Sequence, residues 1–232
     1  MRRKFTLCAC ASRSFIDKDR LAELAALLEN NGHDVRIEAD LCNIAMNSPS
    51  IMNDIADSTV MACHQRTIKA LFHWQNIEYK EDTIDIRNDD MKTVLSQFDI
   101  SEALNGVEKN TIEFESKIAS FPVEKHTDAW YPVLDKDRCT ECGKCYDFCL
   151  FGVYSKEDGK VKVINPQNCK NDCPACARTC PATAIIFPKY PKSPVNGGSA
   201  IEETFSPDEM DTMYRERLKY KLLQRRKRIT RK

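Results

Sequence analysis

A chain of 232 residues with 42% hydrophobic and 30% charged residues has room for two modest domains and a tail, and the make-up of an ordinary soluble protein. No apolar run nears the roughly 18 residues that a membrane-crossing helix needs, and the apolar stretch after the basic start is too short for a secretory signal. The 35 basic and 35 acidic residues cancel, and twelve cysteines in a chain expected to stay in the cytoplasm read as metal ligands rather than disulfides.

Residues 1–90 alternate strand and helix. The spacing predicts a strand over 5–10 and an amphipathic helix over 18–29, capped by Asp17 and stopped at Asn30-Asn31-Gly32. A second strand follows over 33–41 (Val35, Ile37, Ala39), then a short helix over 49–57, a strand over 59–63, a helix over 65–74 and a fourth strand within 76–87. This order predicts a parallel sheet covered on both faces, with its working crevice beyond the carboxyl ends of the strands. Cys8 and Cys10 end the first strand, Cys42 follows the second and Cys63 ends the third. All four should meet at one sheet edge, with Cys8 and Cys10 on the same side of their strand. Small cysteines packed at strand ends would also explain them. His64 could serve as a ligand or as a hydrogen-bonding residue, and Arg13 and Arg66 as neighbours of the site or as surface charges.

Residues 91–104 and 109–118 have weak helical periodicity, and 121–132 reads as a linker. The most informative stretch comes next. Cys139, Cys142, Cys145 and Cys149 follow the C-x2-C-x2-C-x3-C spacing of a [4Fe–4S] motif. Cys169, Cys173, Cys176 and Cys180 repeat it with one extra residue in the first gap and end in Cys180-Pro181. Three thiolates on a tight loop can hold three irons of one cubane, and the fourth, at a helix, points to the other. Tetrahedral zinc is the competing use of C-x2-C pairs, but zinc has no need of two interleaved quartets. Between the motifs, residues 153–154 and 161–164 flank Glu157-Asp158-Gly159, a hairpin signal, and 184–187 reads as a closing strand.

These motifs resemble the bacterial-type two-cluster ferredoxin domain over residues 131–190. The resemblance implies one cluster on Cys139, Cys142, Cys145 and Cys180 and another on Cys149, Cys169, Cys173 and Cys176. Leu150 stands where that family has proline, and the second motif carries its insertion; neither removes a ligand. The N-terminal region more distantly resembles the N-terminal domain of the flavin-bearing subunit of heterodisulfide reductases, which has a similar Cys-x-Cys, lone Cys and Ala/Ser-Cys series. That resemblance implies a third [4Fe–4S] site on Cys8, Cys10, Cys42 and Cys63, and a flavoprotein partner.

Residues 188–199 read as a proline- and glycine-containing linker. Ser206, Pro207 and Glu209 then form a capping box for a helix reaching about residue 228. Residues 215–232 hold ten Lys/Arg and one acid, which leaves 25 basic and 34 acidic residues in the rest of the chain. Met210, Tyr214, Leu218 and Leu222 give the helix one thin apolar seam. Docking on its own domain or on a partner protein is the favoured reading; nucleic acid and anionic membrane are the others. No phosphate-binding glycine motif and no nucleophile–base set occurs, so catalysis finds no support.

The expected architecture is α/β plus α+β: a parallel-sheet α/β domain (1–120), a ferredoxin-type domain (121–190), and a linker with a basic C-terminal helix (191–232). The expected function is electron transfer through two or three [4Fe–4S] clusters, as a subunit or partner of a larger anaerobic oxidoreductase. An iron–sulfur redox sensor, or an adaptor acting through the basic tail, is the alternative.

Overall fold

Short apolar runs bounded by turn residues form the four strands of the first half: β1 (Lys4–Cys8), β2 (Asp34–Glu38), β3 (Thr59–Ala62) and β4 (Thr83–Asp85). They pair in parallel in the order β2-β1-β3-β4. The structure, a computed structural model, describes all residues except 1, 14, 88, 99, 101–106, 123–128, 199–206 and 230–232, and omits some side chains within 107–109 and 207–229. The chain divides into two compact units, Met1–Ala129 and Trp130–Lys232.

In the first unit the sheet is dressed by α1 (Lys18–Asn30), α2 (Leu41–Asn47), α3 (Pro49–Asp54), α4 (Gln65–Trp74), α5 (Met91–Ser96) and α6 (Val107–Ala119). The Asp17 carboxylate caps α1 by accepting from the Arg20 N–H at 3.0 Å. Helix α1 packs on α6, while α2 packs on α3 and α4. Right-handed crossovers put these two groups on opposite faces of the sheet. Both faces of the central strands are therefore covered, and Leu7, Val60 and Met61 are buried with Leu21, Leu24, Met52, Leu71 and Phe72. Burying each such side chain contributes roughly 1.5–3 kcal/mol. The strand order reverses direction between β1 and β3, so the crevice of this sheet lies at the carboxyl ends of those two strands.

Three boundaries depart from the spacing-based expectation. The first strand ends at Cys8, and Cys10 sits in the left-handed region with φ 46°. Cys8 and Cys10 therefore do not lie side by side on one strand face. The second strand stops at Glu38, because the Asp40 carboxylate caps α2 by accepting from the Cys42 and Asn43 N–H groups at 3.1 and 3.3 Å. The fourth strand is only three residues long. Of the helix expected over 91–104, α5 covers Met91–Ser96, and residues 101–104 lie outside the described residues.

The second unit is built from β5 (Val133–Leu134), α7 (Lys144–Phe148), β6 (Tyr154–Glu157), β7 (Lys160–Val163), α8 (Ala175–Thr179), β8 (Ile185–Ile186) and α9 (Pro207–Ile229). β6 and β7 form the expected hairpin, turning through Asp158 and Gly159, both at positive φ (51° and 76°), as a tight two-residue turn requires. β5 pairs with β8, which closes the unit.

A shift of 31 residues maps one half of this unit onto the other: Cys145 onto Cys176, Cys149 onto Cys180, and α7 onto α8. The backbone repeats with it. Glu141 and Asp172 both take positive φ (54° and 58°), as do Gly152 and Thr183 (65° and 53°). Cys149 and Cys180 each donate their N–H to the carbonyl four residues back, at 3.1 and 2.9 Å. The one-residue insertion in the second motif falls before this frame, so it displaces Cys169 alone.

Helix α9 opens against its own unit. Lys144 Nζ donates to Asp211 Oδ1 at 2.8 Å and lies 5.0 Å from the Tyr214 ring centre, and Arg217 donates to the Cys180 carbonyl. The Ser206 cap and the Met210 side chain lie outside the described residues. Further along, Tyr220, Leu222 and Leu223 are exposed.

Candidate functional site

None of the twelve cysteines is in a disulfide. In the second unit they sort into two sets around two cavities. Cys139, Cys142, Cys145 and Cys180 line a narrow cavity with room for about one water, about 20 Å³, floored by Leu134, Val161 and Ile185. Cys149, Cys169, Cys173 and Cys176 line a wider one of about 270 Å³, walled by Phe148, Phe151, Val153 and Tyr154. Each set takes three cysteines from one motif loop and the fourth from the helix end of the other. The left-handed residues Glu141 and Asp172 curl each loop just before its second cysteine, and Gly143 (φ 79°) continues the first curl into α7.

The thiols of each set act on one another electrostatically. Burial pushes Cys145 up to about 12, and Cys180 and Cys139 push it the same way. Burial likewise raises Cys169 to about 12, with Cys173 and Cys149 adding to the effect. Cys139, Cys176 and Cys180 are raised above the ordinary thiol range as well, burial being the main cause in each. Four ionised sulfurs in either cavity would repel one another in an apolar setting unless cations lay between them. Cys145 also acts on Cys176, so the two sets are neighbours.

Among the described residues, neither cavity is lined by a carboxylate or an imidazole. An all-thiol donor set in apolar surroundings suits iron–sulfur clusters and soft metals. Among the described residues, no three His, Cys, Asp or Glu side chains converge closely enough to hold a single metal ion. In the second unit the Ala184 N–H donates to Cys180 Sγ at 3.4 Å and the Tyr154 hydroxyl donates to Cys176 Sγ at 3.1 Å, while the backbone N–H groups of Glu141 and Tyr146 reach Cys139 and Cys145. Tyr154 is fully buried, and burial pushes its hydroxyl well above the usual tyrosine range, so it keeps its proton.

In the first unit, Cys8 stands at the end of β1, Cys10 two residues on, Cys42 in the first turn of α2, and Cys63 just after β3. All four lie at the carboxyl edge of β2-β1-β3; Cys8, Cys10 and Cys42 are buried and Cys63 half-buried. The Leu41 N–H donates to Cys8 Sγ at 3.4 Å, the same kind of contact that Cys180 receives. His64 Nδ1 lies 2.7 Å from Asp85 Oδ2 and its Nε2 lies 3.5 Å from Arg87, so this ring is engaged by β4 and the residues after it. Sequence reasoning missed the Asp40 cap that sets Cys42 on a helix. It also missed Tyr154, whose one signal was a polar aromatic residue at a strand position facing a cysteine cavity.

Taken together, the paired loops and thiol-lined cavities define a ferredoxin-type iron–sulfur domain. Comparison with known proteins agrees. An uncharacterised ferredoxin of Methanocaldococcus jannaschii is 49% identical over 61 residues, 26% of this chain and 42% of that protein. A second uncharacterised ferredoxin of that organism is 39% identical over 58 residues, 24% of this chain and 74% of its own length. The pyruvate synthase subunit PorD of the same organism is 32% identical over 66 residues, 27% of this chain and 76% of that subunit. The chain belongs to the ferredoxins through this domain, while spanning less than half the length of the first relative. No family model and no solved structure matches it.

Proposed function

We propose that the chain is an electron-transfer protein whose second unit holds two [4Fe–4S] clusters, one on Cys139, Cys142, Cys145 and Cys180 and one on Cys149, Cys169, Cys173 and Cys176. The observation that carries this is the sorting of eight cysteines into two cavities by the crossed pattern, three from one motif and one from the other. A ring of thiols around a cavity suits a multi-atom cluster. A zinc ion, with Zn–S bonds near 2.3 Å, would need its thiolates drawn to one point. The narrower cavity has to widen as its cluster forms. Each cluster supplies one-electron chemistry. The protein's part is to hold the two side by side, exclude water and set the potential through hydrogen bonds to sulfur.

The four cysteines at the carboxyl edge of the first sheet are proposed to hold a third [4Fe–4S] cluster. Their convergence at the crevice of a parallel sheet and the N–H donated to Cys8 support this. Electrons would then pass between the clusters of the second unit and a site in the first. By analogy with PorD, which is a named subunit of pyruvate synthase, the chain would serve a larger oxidoreductase. The contacts of α9 with its own unit favour protein docking over nucleic acid or membrane for the basic tail. Its exposed Tyr220, Leu222 and Leu223 would face a redox partner, a flavoprotein being the proposed kind.

Iron and acid-labile sulfide per chain, measured on anaerobically purified protein, test the reading. Twelve of each support three clusters and eight support two. Fewer than eight, or stoichiometric zinc, would overturn it.

A further inference from the structure

The internal repeat is chemically uneven at one position. Five residues beyond Cys149 stands Tyr154, and five residues beyond Cys180 stands Ile185. The two are equivalent under the 31-residue shift, and each lines the cavity that holds the cysteine five residues before it, Cys149 or Cys180. Tyr154 reaches across its cavity and donates its hydroxyl proton to Cys176 Sγ at 3.1 Å. The Ile185 side chain has nothing to donate, and Cys180 Sγ is met by the backbone N–H groups of Ala184, Ile185 and Ala182 instead. Tyr154 and Cys176 are both buried.

We propose that the Tyr154 hydroxyl raises the potential of the cluster of Cys149, Cys169, Cys173 and Cys176, through a side-chain donor that the equivalent position in the other half lacks. This rests on the two-cluster reading above. A hydrogen bond to a ligand sulfur draws charge off the cluster and stabilises the reduced, more negative form over the oxidised one. The cavity beside Tyr154 is also the more open of the two. It is rimmed by Phe151 and by Leu150, which is 91% exposed, whereas the other cavity includes Lys144, which α9 engages through Asp211 and Tyr214.

The test is Tyr154→Phe in the full chain, purified anaerobically, with iron content measured beside an EPR-monitored redox titration. At a fixed poise, the reduced-to-oxidised ratio of one cluster should fall about tenfold, a downward shift of about 59 mV for one electron, while the other midpoints stay put. Unchanged midpoints with full iron content would overturn the inference and leave the two-cluster reading intact. An equal fall of all midpoints would overturn it too, as a general loss of packing. A parent chain with fewer than eight irons would instead overturn the reading beneath it. If the phenylalanine variant loses iron, 3-fluorotyrosine at position 154 keeps the shape and strengthens the donor. One midpoint must then rise, and no rise overturns the proposal.

Discussion

Cys10 is held at φ 46°, a conformation that costs a non-glycine residue about 1–2 kcal/mol. The turn takes Cys10 off the alternation of β1. If it serves a cluster with Cys8, Cys42 and Cys63, Cys10→Ala and Cys63→Ala should each lower the iron count from twelve to eight per chain. Elemental analysis checks this, and twelve irons in either variant would remove that residue from the ligand set. Tyr79 poses a stability question at the same scale. Its hydroxyl donates toward the carbonyls of Asp82 (2.7 Å) and Ser58 (3.0 Å), accepts from the Val60 N–H (3.2 Å), and its ring stacks on Phe72. Tyr79→Phe should destabilise the first unit by about 1–2 kcal/mol, read as a lower urea midpoint. Burial raises the Tyr79 hydroxyl above its ordinary 10.0, so the folded state holds this proton more tightly. Its contribution is complete below pH 10 and is lost as pH climbs past that value, so the variant should lose less stability in alkali than the parent. The eight motif cysteines stood out from spacing alone because that spacing is the one a [4Fe–4S] motif needs. Tyr154 and Tyr79 did not, since a hydroxyl's partner depends on residues far off in the chain.

At the scale of elements, α9 shows how a charged helix can dock without a wide apolar face. Lys144 sits between Asp211 and the Tyr214 ring, and Asp211 also pairs with Arg215 at 2.8 Å. The hydrogen bond to Asp211 holds the Lys144 ammonium above its usual range, and the bond from Lys144 holds the Asp211 carboxyl below its own. The contact is thus fully charged through neutral pH, and is lost below the carboxylate range or above the lysine range. Asp211→Asn should loosen the helix and speed tryptic cleavage at Arg215, Arg217 and Lys219, with the iron count unchanged. Cleavage at the parent rate would mean that Tyr214 and Arg217 hold the helix unaided. The amphipathic pattern made α9 visible in the sequence, yet the seam predicted its inward face only in part: Tyr214 and Leu218 are half-buried, while Leu222 is exposed. Helix α2 was missed for a different reason. Val35, Ile37, Ala39 and Leu41 continue a strand-like alternation straight through Asp40, and only the two N–H groups that Asp40 accepts reveal that the strand has ended.

Over the whole molecule the two units differ in what can hold them together. The first has a four-stranded parallel sheet with helices on both faces, enough apolar burial to stand without a cofactor. The second has strands of two and four residues and helices α7 and α8 of five residues each. Elements so short are not stable alone, and two-stranded ribbons are marginal in water. Its raised thiols add to the argument, since bringing eight cysteines into two apolar cavities is favourable only with the thiols protonated or with iron between them. Cluster binding energy would then be folding energy for this unit. Stripping iron with a chelator under reducing conditions should therefore erase amide protection in β5–β8 while β1 and β3 stay protected, in hydrogen exchange followed along the chain. If Cys8, Cys10, Cys42 and Cys63 hold a cluster, its loss should loosen only the turns after β1 and β3, because the strands are held by their own ladders and by α1, α4 and α6. Protection in β5–β8 that survived removal of iron would mean that side-chain packing around Trp130, Tyr131 and Phe187 carries the second unit, with the clusters as passengers rather than as part of its core.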